Sequence, residues 1–222
     1  MDVETVSTFF ALLAVVGLLF IAVTWVTALV SKVRGGVPES LVPLREGLGQ
    51  VAIPLAFAVA LTCTLGSLYM SEIAKFPPCP LCWYQRIAMY PNVVLLAVAW
   101  WRRDTAVKFY VVPLVVIGWV IATYHYLLER FPDTVKSPVC DSAAAVPCET
   151  VWVWKFHFLS IPGMAWVGFT LIFTLVLLAR PAPTRRGGPR TLSADGGTPD
   201  DETFDDDTPD AEPGQRAQEV TP

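Results

Sequence analysis

Two cysteines separated by two residues, Cys79 and Cys82, lie in the stretch PPCPLCWYQR, directly before an apolar run. A second pair, Cys140 and Cys148, lies in a later polar segment. Paired thiols can carry electrons, because a thiolate attacks a disulfide sulfur and displaces its partner. The two pairs therefore predict a relay in which Cys140–Cys148 takes electrons from an external protein dithiol and passes them to Cys79–Cys82.

The prolines around the first pair place it at the start of a helix. Pro77 and Pro78 cannot continue a preceding helix. Pro80 suits a first helical turn, where a missing N–H group costs little. Cys79 is then expected near the N-cap and Cys82 within the first turn, where unpaired N–H groups and the helix dipole stabilise a thiolate.

Three other side chains bear on this chemistry. Arg86 lies four residues after Cys82 on the same helix face, and a charge just inside an apolar run is costly enough to indicate a function. It could face an anionic electron acceptor, or it could simply reach the headgroups. His125 could hydrogen-bond a quinone carbonyl or relay protons, or be an ordinary interfacial histidine. Cys63, in the middle of an apolar run, is interpreted as an inert core residue.

Five nearly uncharged runs must position these groups. About 20 helical residues cross a bilayer, and backbone groups in lipid must be paired within the helix, so each run predicts a transmembrane helix. The acidic flank and the length of the first run argue against a cleaved signal peptide. The chain is 54% hydrophobic, which agrees with this interpretation. The runs cover residues 8–30, 48–70, 83–101, 107–128 and 158–179.

Basic residues predict how the chain threads the membrane, because cytoplasmic loops carry an excess of Lys and Arg. The side with more of them is expected to be the cytoplasmic face of the plasma membrane. The N-terminus and both cysteine pairs are then outside, where disulfide chemistry is favoured. The richer side carries Lys32, Arg34, Arg45, Arg102, Arg103, Lys108, Arg180, Arg185, Arg186 and Arg190, against Lys75, Arg86, Arg130, Lys136 and Lys155 on the other.

The composition changes after the last apolar run. Half of the twenty acidic residues follow Leu192, in a segment rich in Pro, Gly and Asp. Such a segment cannot bury enough apolar surface to fold. We predict an extra N-terminal transmembrane helix with a cytoplasmic linker over residues 1–47, a four-helix redox domain over 48–180 and a disordered acidic cytoplasmic tail over 181–222. The lipid bilayer is an expected partner and nucleic acid is not.

The stretch PPCPLCWYQRIAMYP resembles the second-helix entrance of the disulfide bond formation protein B (DsbB) family, and is most similar to its BdbC-like branch. TYHY and the later PC…IPG segment resemble the same branch, and the similarity covers roughly residues 48–179. It implies an all-α integral membrane protein, a four-helix transmembrane bundle with one extra N-terminal transmembrane helix here. It also implies a protein-dithiol:quinone oxidoreductase that reoxidises an extracytoplasmic thioredoxin-fold (DsbA-like) thiol oxidase and reduces ubiquinone or menaquinone, supporting disulfide bond formation.

The resemblance assigns a role to each cysteine of the two pairs. Cys82 would lie next to the quinone, with Cys79 as its disulfide partner. Cys140 would meet the external oxidase. Cys148 would resolve that mixed disulfide and pass the electrons to Cys79.

The resemblance also implies two quinone-binding side chains. Arg86 corresponds to the family's quinone-proximal arginine, and His125 corresponds approximately to a quinone-proximal histidine. No metal is expected in this interpretation.

Two alternative functions stay open. A vitamin K epoxide reductase-like quinone reductase shares a four-helix core and paired cysteines, but that family has its C-x-x-C near the last core helix. A membrane binding module could instead hold zinc or copper on the four exterior cysteines, although the spacing of the second pair is not typical of a zinc site.

Overall fold

The computed structural model describes residues 3–36, 39–135, 139–140 and 146–180. The chain divides into two units, 1–184 and 185–222, and every described residue belongs to the first. The predicted disordered tail therefore lies outside the described residues. Within them, a short antiparallel hairpin precedes the last of five long helices. The elements are α1 (Val3–Val33), α2 (Val42–Leu68), α3 (Pro80–Arg102), α4 (Lys108–Arg130), β1 (Trp154–Lys155), β2 (Leu159–Ser160) and α5 (Ile161–Leu178).

Four of these helices are long and apolar enough to cross a membrane, namely α1, α4, α5, and α2 together with the π-helical turn that continues it. Helix α3 has 23 residues, which is enough to cross. It is less apolar because Gln85, Arg86 and Asn92 lie on it, and all three are buried in the bundle. The outward faces carry large apolar side chains such as Leu19 and Trp101. The predicted all-α, multi-pass membrane fold is confirmed.

The bundle is built from neighbouring pairs α2–α3, α3–α4, α4–α5 and α2–α5, and α1 packs on α5. Its main core is formed by residues such as Leu96, Phe169 and Ile172. Small residues permit close approach of the helices, as is common in membranes. A Cβ atom at Gly168 would lie 2.6 Å from the Sγ atom of Cys63. Cys63 therefore packs tightly between α2 and α5, against the core.

Several helix ends differ from those predicted. Helices α1 and α2 begin at Val3 and Val42, five and six residues before the predicted runs. The π-helical turn Tyr69–Ile73 is followed by Lys75 with φ 58°, so the second span ends before the prolines and not at them. The fifth span begins at Ile161 and not at residue 158, because Phe158 precedes the β2 strand. Ser160 then caps α5 by accepting a hydrogen bond from the Gly163 N–H (3.4 Å).

Candidate functional site

Cys79 is the N-cap residue of α3, as the prolines predicted. Its backbone is extended, and its Sγ atom accepts a hydrogen bond from the Cys82 N–H at 3.4 Å. Pro80 occupies the first helical position, where it has no N–H group to leave unpaired. The sulfur atoms of Cys79 and Cys82 are 3.1 Å apart, and both are free thiols in this structure. This separation lets the pair close to a disulfide, whose S–S bond is about 2.05 Å, by a small side-chain movement.

Cys140 and Cys148 form a disulfide, with their Cα atoms 5.7 Å apart. Cys148 is buried, and it belongs to a cluster that also contains Cys79 and Leu128. Cys140 is only partly buried and packs at the edge of this cluster. The structure thus brings the two cysteine pairs together, with the Cys140 sulfur as the more accessible one of the disulfide.

A metal site of four thiolates is not formed in this state, because the sulfurs of a disulfide are not thiolate ligands. The described residues do bring three potential ligand atoms together, from Cys79, Cys82 and His125, all within 4.8 Å of one another. A thiophilic metal would therefore compete with disulfide closure at this pair and not bridge the two pairs.

His125 of α4 is buried between the two cysteine pairs. Its Nε2 atom lies 3.7 Å from the Sγ atom of Cys79 and 3.2 Å from the backbone oxygen of Cys148. Its Nδ1 atom lies 2.9 Å from the amide Nε2 of Gln85. Because an amide N–H donates, Nδ1 is the acceptor, and a neutral ring then carries its proton on Nε2. That proton points toward Cys148 and Cys79.

The surroundings of Cys79 favour its thiolate. The hydrogen bond from the Cys82 thiol, reinforced by His125, holds the pKa of Cys79 well below its usual range, although burial acts in the opposite direction. The sequence argument placed a stabilised thiolate at Cys82, within the first helical turn. The tertiary contacts make Cys79 the better stabilised of the two, because only Cys79 is within hydrogen-bond distance of His125.

A cavity of about 490 Å³ opens beside Cys82, among helices α1, α2, α3 and α5. Cys82 and Arg86 line it, and most of the remaining walls are apolar. Arg86 is 9% exposed, donates a hydrogen bond from Nη2 to the backbone oxygen of Ser67 (2.8 Å) and lies over the Trp83 ring. The volume falls within the roughly 300–1,000 Å³ typical of small-molecule sites. Apolar walls with one cationic donor fit a quinone, which is a flat apolar ring carrying carbonyl acceptors.

A second, small cavity of about 20 Å³ lies on the other side of the first pair. Cys79, His125 and Cys148 border it, together with Glu129, and its size suffices for about one water molecule. Cys82 borders both cavities. His125, predicted to be near a quinone, does not line the large cavity. It lies on the side of the sulfur relay.

Two polar residues at the site were missed in the sequence. Gln85 binds His125, and the half-buried Glu129 borders the small cavity, where its buried Oε2 atom has no hydrogen-bond partner among the described residues. The sequence signal for these two residues was their helical spacing from the predicted site residues. Gln85 lies three residues after Cys82, and Glu129 lies four residues after His125 on the same face of α4. Neither residue carries a motif of its own, so spacing alone did not single them out.

The elements that carry the site meet at one end of the bundle. The Phe76 ring, just before the first pair, stacks on the Trp152 ring, just before the hairpin, with centroids 5.0 Å apart. Lys155 of β1 forms an ion pair with Glu4 of α1 at 3.2 Å. The two cysteine pairs and the N-terminal end of α1 therefore lie at the same end, as the threading argument expected.

Comparison with known proteins gives one family. The family model described as "Disulfide bond formation protein DsbB" matches residues 50–179. Disulfide bond formation protein C of Bacillus subtilis (strain 168) is 45% identical over 125 residues, which are 56% of this chain and 89% of that protein. No solved structure matches the chain.

Two further relatives cover a similar part of the chain. Probable disulfide formation protein C of Halalkalibacterium halodurans is 41% identical over 124 residues, 55% of this chain and 88% of that protein. A probable disulfide formation protein of Coxiella burnetii is 37% identical over 131 residues, 59% of this chain and 88% of that protein. Helix α1 lies outside the residues that the family model matches.

Proposed function

The chain belongs to the disulfide bond formation protein DsbB family, which makes it a membrane disulfide oxidoreductase, and we propose that it transfers electrons from an extracytoplasmic thioredoxin-fold thiol oxidase to a membrane quinone. The quinone would be ubiquinone or menaquinone. The position of Cys82 supports this proposal most directly, because its side chain borders both the sulfur relay and an apolar cavity that Arg86 lines. The family match favours this function over the vitamin K epoxide reductase-like alternative.

The relay begins with thiol–disulfide exchange at the second pair. A thiolate of the external oxidase attacks Cys140, the more accessible sulfur, and Cys148 leaves as a thiolate. Cys148 attacks Cys79 in the closed Cys79–Cys82 disulfide, and Cys82 leaves as a thiolate. The second thiol of the oxidase then displaces Cys140, which in turn displaces Cys79 from Cys148. The oxidase leaves as a disulfide, the second pair is closed again, and Cys79 and Cys82 hold the two electrons.

The second half closes the first pair again. A quinone supplies an acceptor for two electrons and two protons. Cys79 and Cys82 give up the two electrons as their S–S bond forms. Arg86 and Cys82 line the same cavity. The fixed positive charge of Arg86 would stabilise negative charge that develops on an acceptor oxygen there. Cys82 faces this wall and Cys79 does not line the cavity.

Proton movement accompanies the electrons, because oxidation of two thiols releases two protons. His125, whose Nε2 proton faces Cys79 and the Cys148 backbone oxygen, is placed to give that proton to the Cys79 sulfur when the pair is reduced and to take it back when the pair is oxidised. Glu129 borders the same small cavity with a buried, unpartnered Oε2 atom, and we assign it to pass protons on from His125. His125→Ala should slow turnover at least tenfold, and the exposed His157→Ala is the matched control.

One reconstitution tests the whole proposal. Purified chain in lipid nanodiscs is mixed with a reduced thioredoxin-fold oxidase and excess quinone, and quinone absorbance is followed. One quinone should be reduced for each dithiol oxidised, and Cys79→Ser or Cys82→Ser should abolish the reaction. If the unaltered chain reduced neither ubiquinone nor menaquinone, the proposal would be rejected.

A trapping experiment tests the order of exchange. An oxidase variant that keeps only its attacking thiol can open the Cys140–Cys148 disulfide but cannot release itself. Peptide mapping by mass spectrometry should then find it joined to Cys140. A link to Cys148 would contradict the order, and burial of Cys148 is the reason that this link is not expected.

The orientation in the plasma membrane is proposed from the basic residues and is tested in intact cells. After mild reduction, a membrane-impermeant thiol reagent should label Cys140. A cysteine introduced at Lys32 should be labelled only after the membrane is opened. The reverse pattern would place the redox cysteines in the cytoplasm and overturn the proposed partner.

A further inference from the structure

Helix α1 forms part of the large cavity although it lies outside the residues that the family model matches. It lines this cavity along more than two turns. The lining residues from α1 are Phe10, Leu13, Ala14, Val16, Gly17 and Phe20. A helix that served only as a membrane anchor would have no reason to face the same space as Cys82 and Arg86.

Contacts along its length hold α1 against α5. Ala11 and Ala14 are buried in a cluster with Val167 of α5. A Cβ atom at Gly17 would lie 3.2 Å from the Val167 side chain, so the two helices are in close contact here. Toward the other end, the Trp25 indole donates a hydrogen bond to the Thr174 hydroxyl at 3.2 Å. Together with the Glu4–Lys155 ion pair, these contacts make α1 a fixed wall.

The position of Phe10 relates this wall to the chemistry. Its ring lies directly against α2, where a Cβ atom at Gly66 would come within 2.9 Å of it. The next residue, Ser67, accepts the hydrogen bond from Arg86. Phe10 is therefore at the Arg86 end of the cavity. Phe20 lies ten residues further, roughly 15 Å along the helix. The cavity accordingly extends along the helices, away from the redox end.

We propose that α1 is the wall that holds the polyprenyl tail of the quinone, with Phe10 against the first part of the tail and Phe20 further along it. The inference rests on the proposed function and names residues outside the family's matched region. An elongated apolar space that starts at Arg86 and Cys82 suits a molecule with a polar head and a long apolar chain. Helix α1 would then select acceptors by their tail.

The expected loss of quinone affinity is modest, because the tail enters the cavity from lipid and not from water. A tail that moves from lipid into this cavity gains no hydrophobic free energy, because both surroundings are apolar. What it gains is close packing against aromatic and aliphatic walls, which is small for each contact and adds up. Loss of both phenyl rings should therefore weaken binding of a tailed quinone about tenfold, or about 1.4 kcal/mol, without abolishing it.

Equilibrium binding tests this inference independently of turnover. The double variant Phe10→Ala/Phe20→Ala is compared with Leu12→Ala/Leu19→Ala, whose side chains are on the outer surface of the same helix. Quenching of tryptophan fluorescence reports binding, because Trp152 lines the cavity. A long-tailed quinone should bind the first variant about tenfold more weakly than the unaltered chain, and a tail-less quinone should bind both equally. Quinone retained through purification should fall in the same variant.

Three results would overturn the inference. Equal affinity of the long-tailed quinone for both double variants would remove α1 from the site. Equal weakening of long-tailed and tail-less quinones would place Phe10 and Phe20 at the head group or in folding, not at the tail. If neither quinone bound to the unaltered chain, no fluorescence quenching would be seen, and the proposed function itself would be refuted.

Discussion

Replacement of Arg86 gives the sharpest test of the acceptor site. Arg86 is 9% exposed, and one of its guanidinium nitrogens is bonded to the Ser67 oxygen at 2.8 Å. Among the described residues it makes no other hydrogen bond, which leaves its other donors for a ligand in the cavity. A hydrogen bond to a charged donor contributes about 1.5–3 kcal/mol, which corresponds to about 10- to 150-fold. Arg86→Ala should therefore lower kcat/KM for quinone by about this factor, because the contact acts on charge that develops at the acceptor.

The assay separates the acceptor site from the relay. Initial rates are measured against quinone concentration in nanodiscs, and opening of the Cys140–Cys148 disulfide by a single-thiol oxidase is measured without quinone. Only the first should change in Arg86→Ala. Arg86→Lys should be intermediate, since it keeps the charge but loses the planar fork. The exposed Arg45→Ala is the matched control. An unchanged kcat/KM for quinone in Arg86→Ala would refute the assignment of this residue to the acceptor.

Three further predictions concern the sulfur side and the packing of the bundle. In the reduced protein, the pH midpoint for alkylation of Cys79 should lie well below 8.5, the usual thiol pKa, because its lowered pKa keeps the thiolate populated. The side chain is only 5% exposed, so the midpoint and not the rate is compared. Mass spectrometry would follow this cysteine alone, and a midpoint near 8.5 would contradict the geometry. The free energy of unfolding of the reduced protein should also rise with pH between the lowered pKa of Cys79 and about 8.5, because the unfolded state binds more protons in this range. Gln85→Leu removes the hydrogen-bond partner of His125 Nδ1. The pH midpoint for alkylation of Cys79 should then move upward, since the Nε2 proton is no longer fixed toward the sulfur. An unmoved midpoint would show that Gln85 does not orient the ring. Gly168→Ala should lower the free energy of unfolding in detergent by about 1–3 kcal/mol through overpacking against Cys63. Adding Cys63→Ala to the same chain should restore most of the lost stability. If it did not, the strain would lie elsewhere.

The predictions share one physical basis, which is the separation of two environments by a single turn of α3. Cys79 faces polar atoms from α3 and α4, and Cys82 faces the apolar cavity. In the proposed relay, one disulfide would therefore receive electrons from the buried Cys148 on one side and deliver them to a lipid-soluble acceptor on the other. Arg86 and His125 are assigned to different halves of the reaction because they lie on different sides of this pair.

The local features of the site were predictable from the sequence. The order of prolines and cysteines in PPCPLC determined that Cys79 caps α3, because proline geometry and N-cap chemistry act within a few residues. Apolar runs determined the membrane helices to within a few residues of their ends. The errors at those ends came from contacts that a run of hydropathy does not show, namely the capping of α5 by Ser160 and the left-handed turn at Lys75.

The rotation of each helix about its own axis was decided only by the tertiary structure. In a soluble protein the polar face shows which side points outward. In lipid both sides are apolar, so hydropathy does not distinguish the face of α1 that lines the cavity from the face that meets lipid. The same ambiguity hid the contact between Gln85 and His125, because the neighbours of His125 come from α3 and from the segment that ends at Cys148. The sequence alone was enough to single out the two cysteine pairs, Arg86 and His125 as candidates. Packing between distant segments decided which of these side chains meet, because contacts across a bundle depend on helix rotation and not on spacing along the chain.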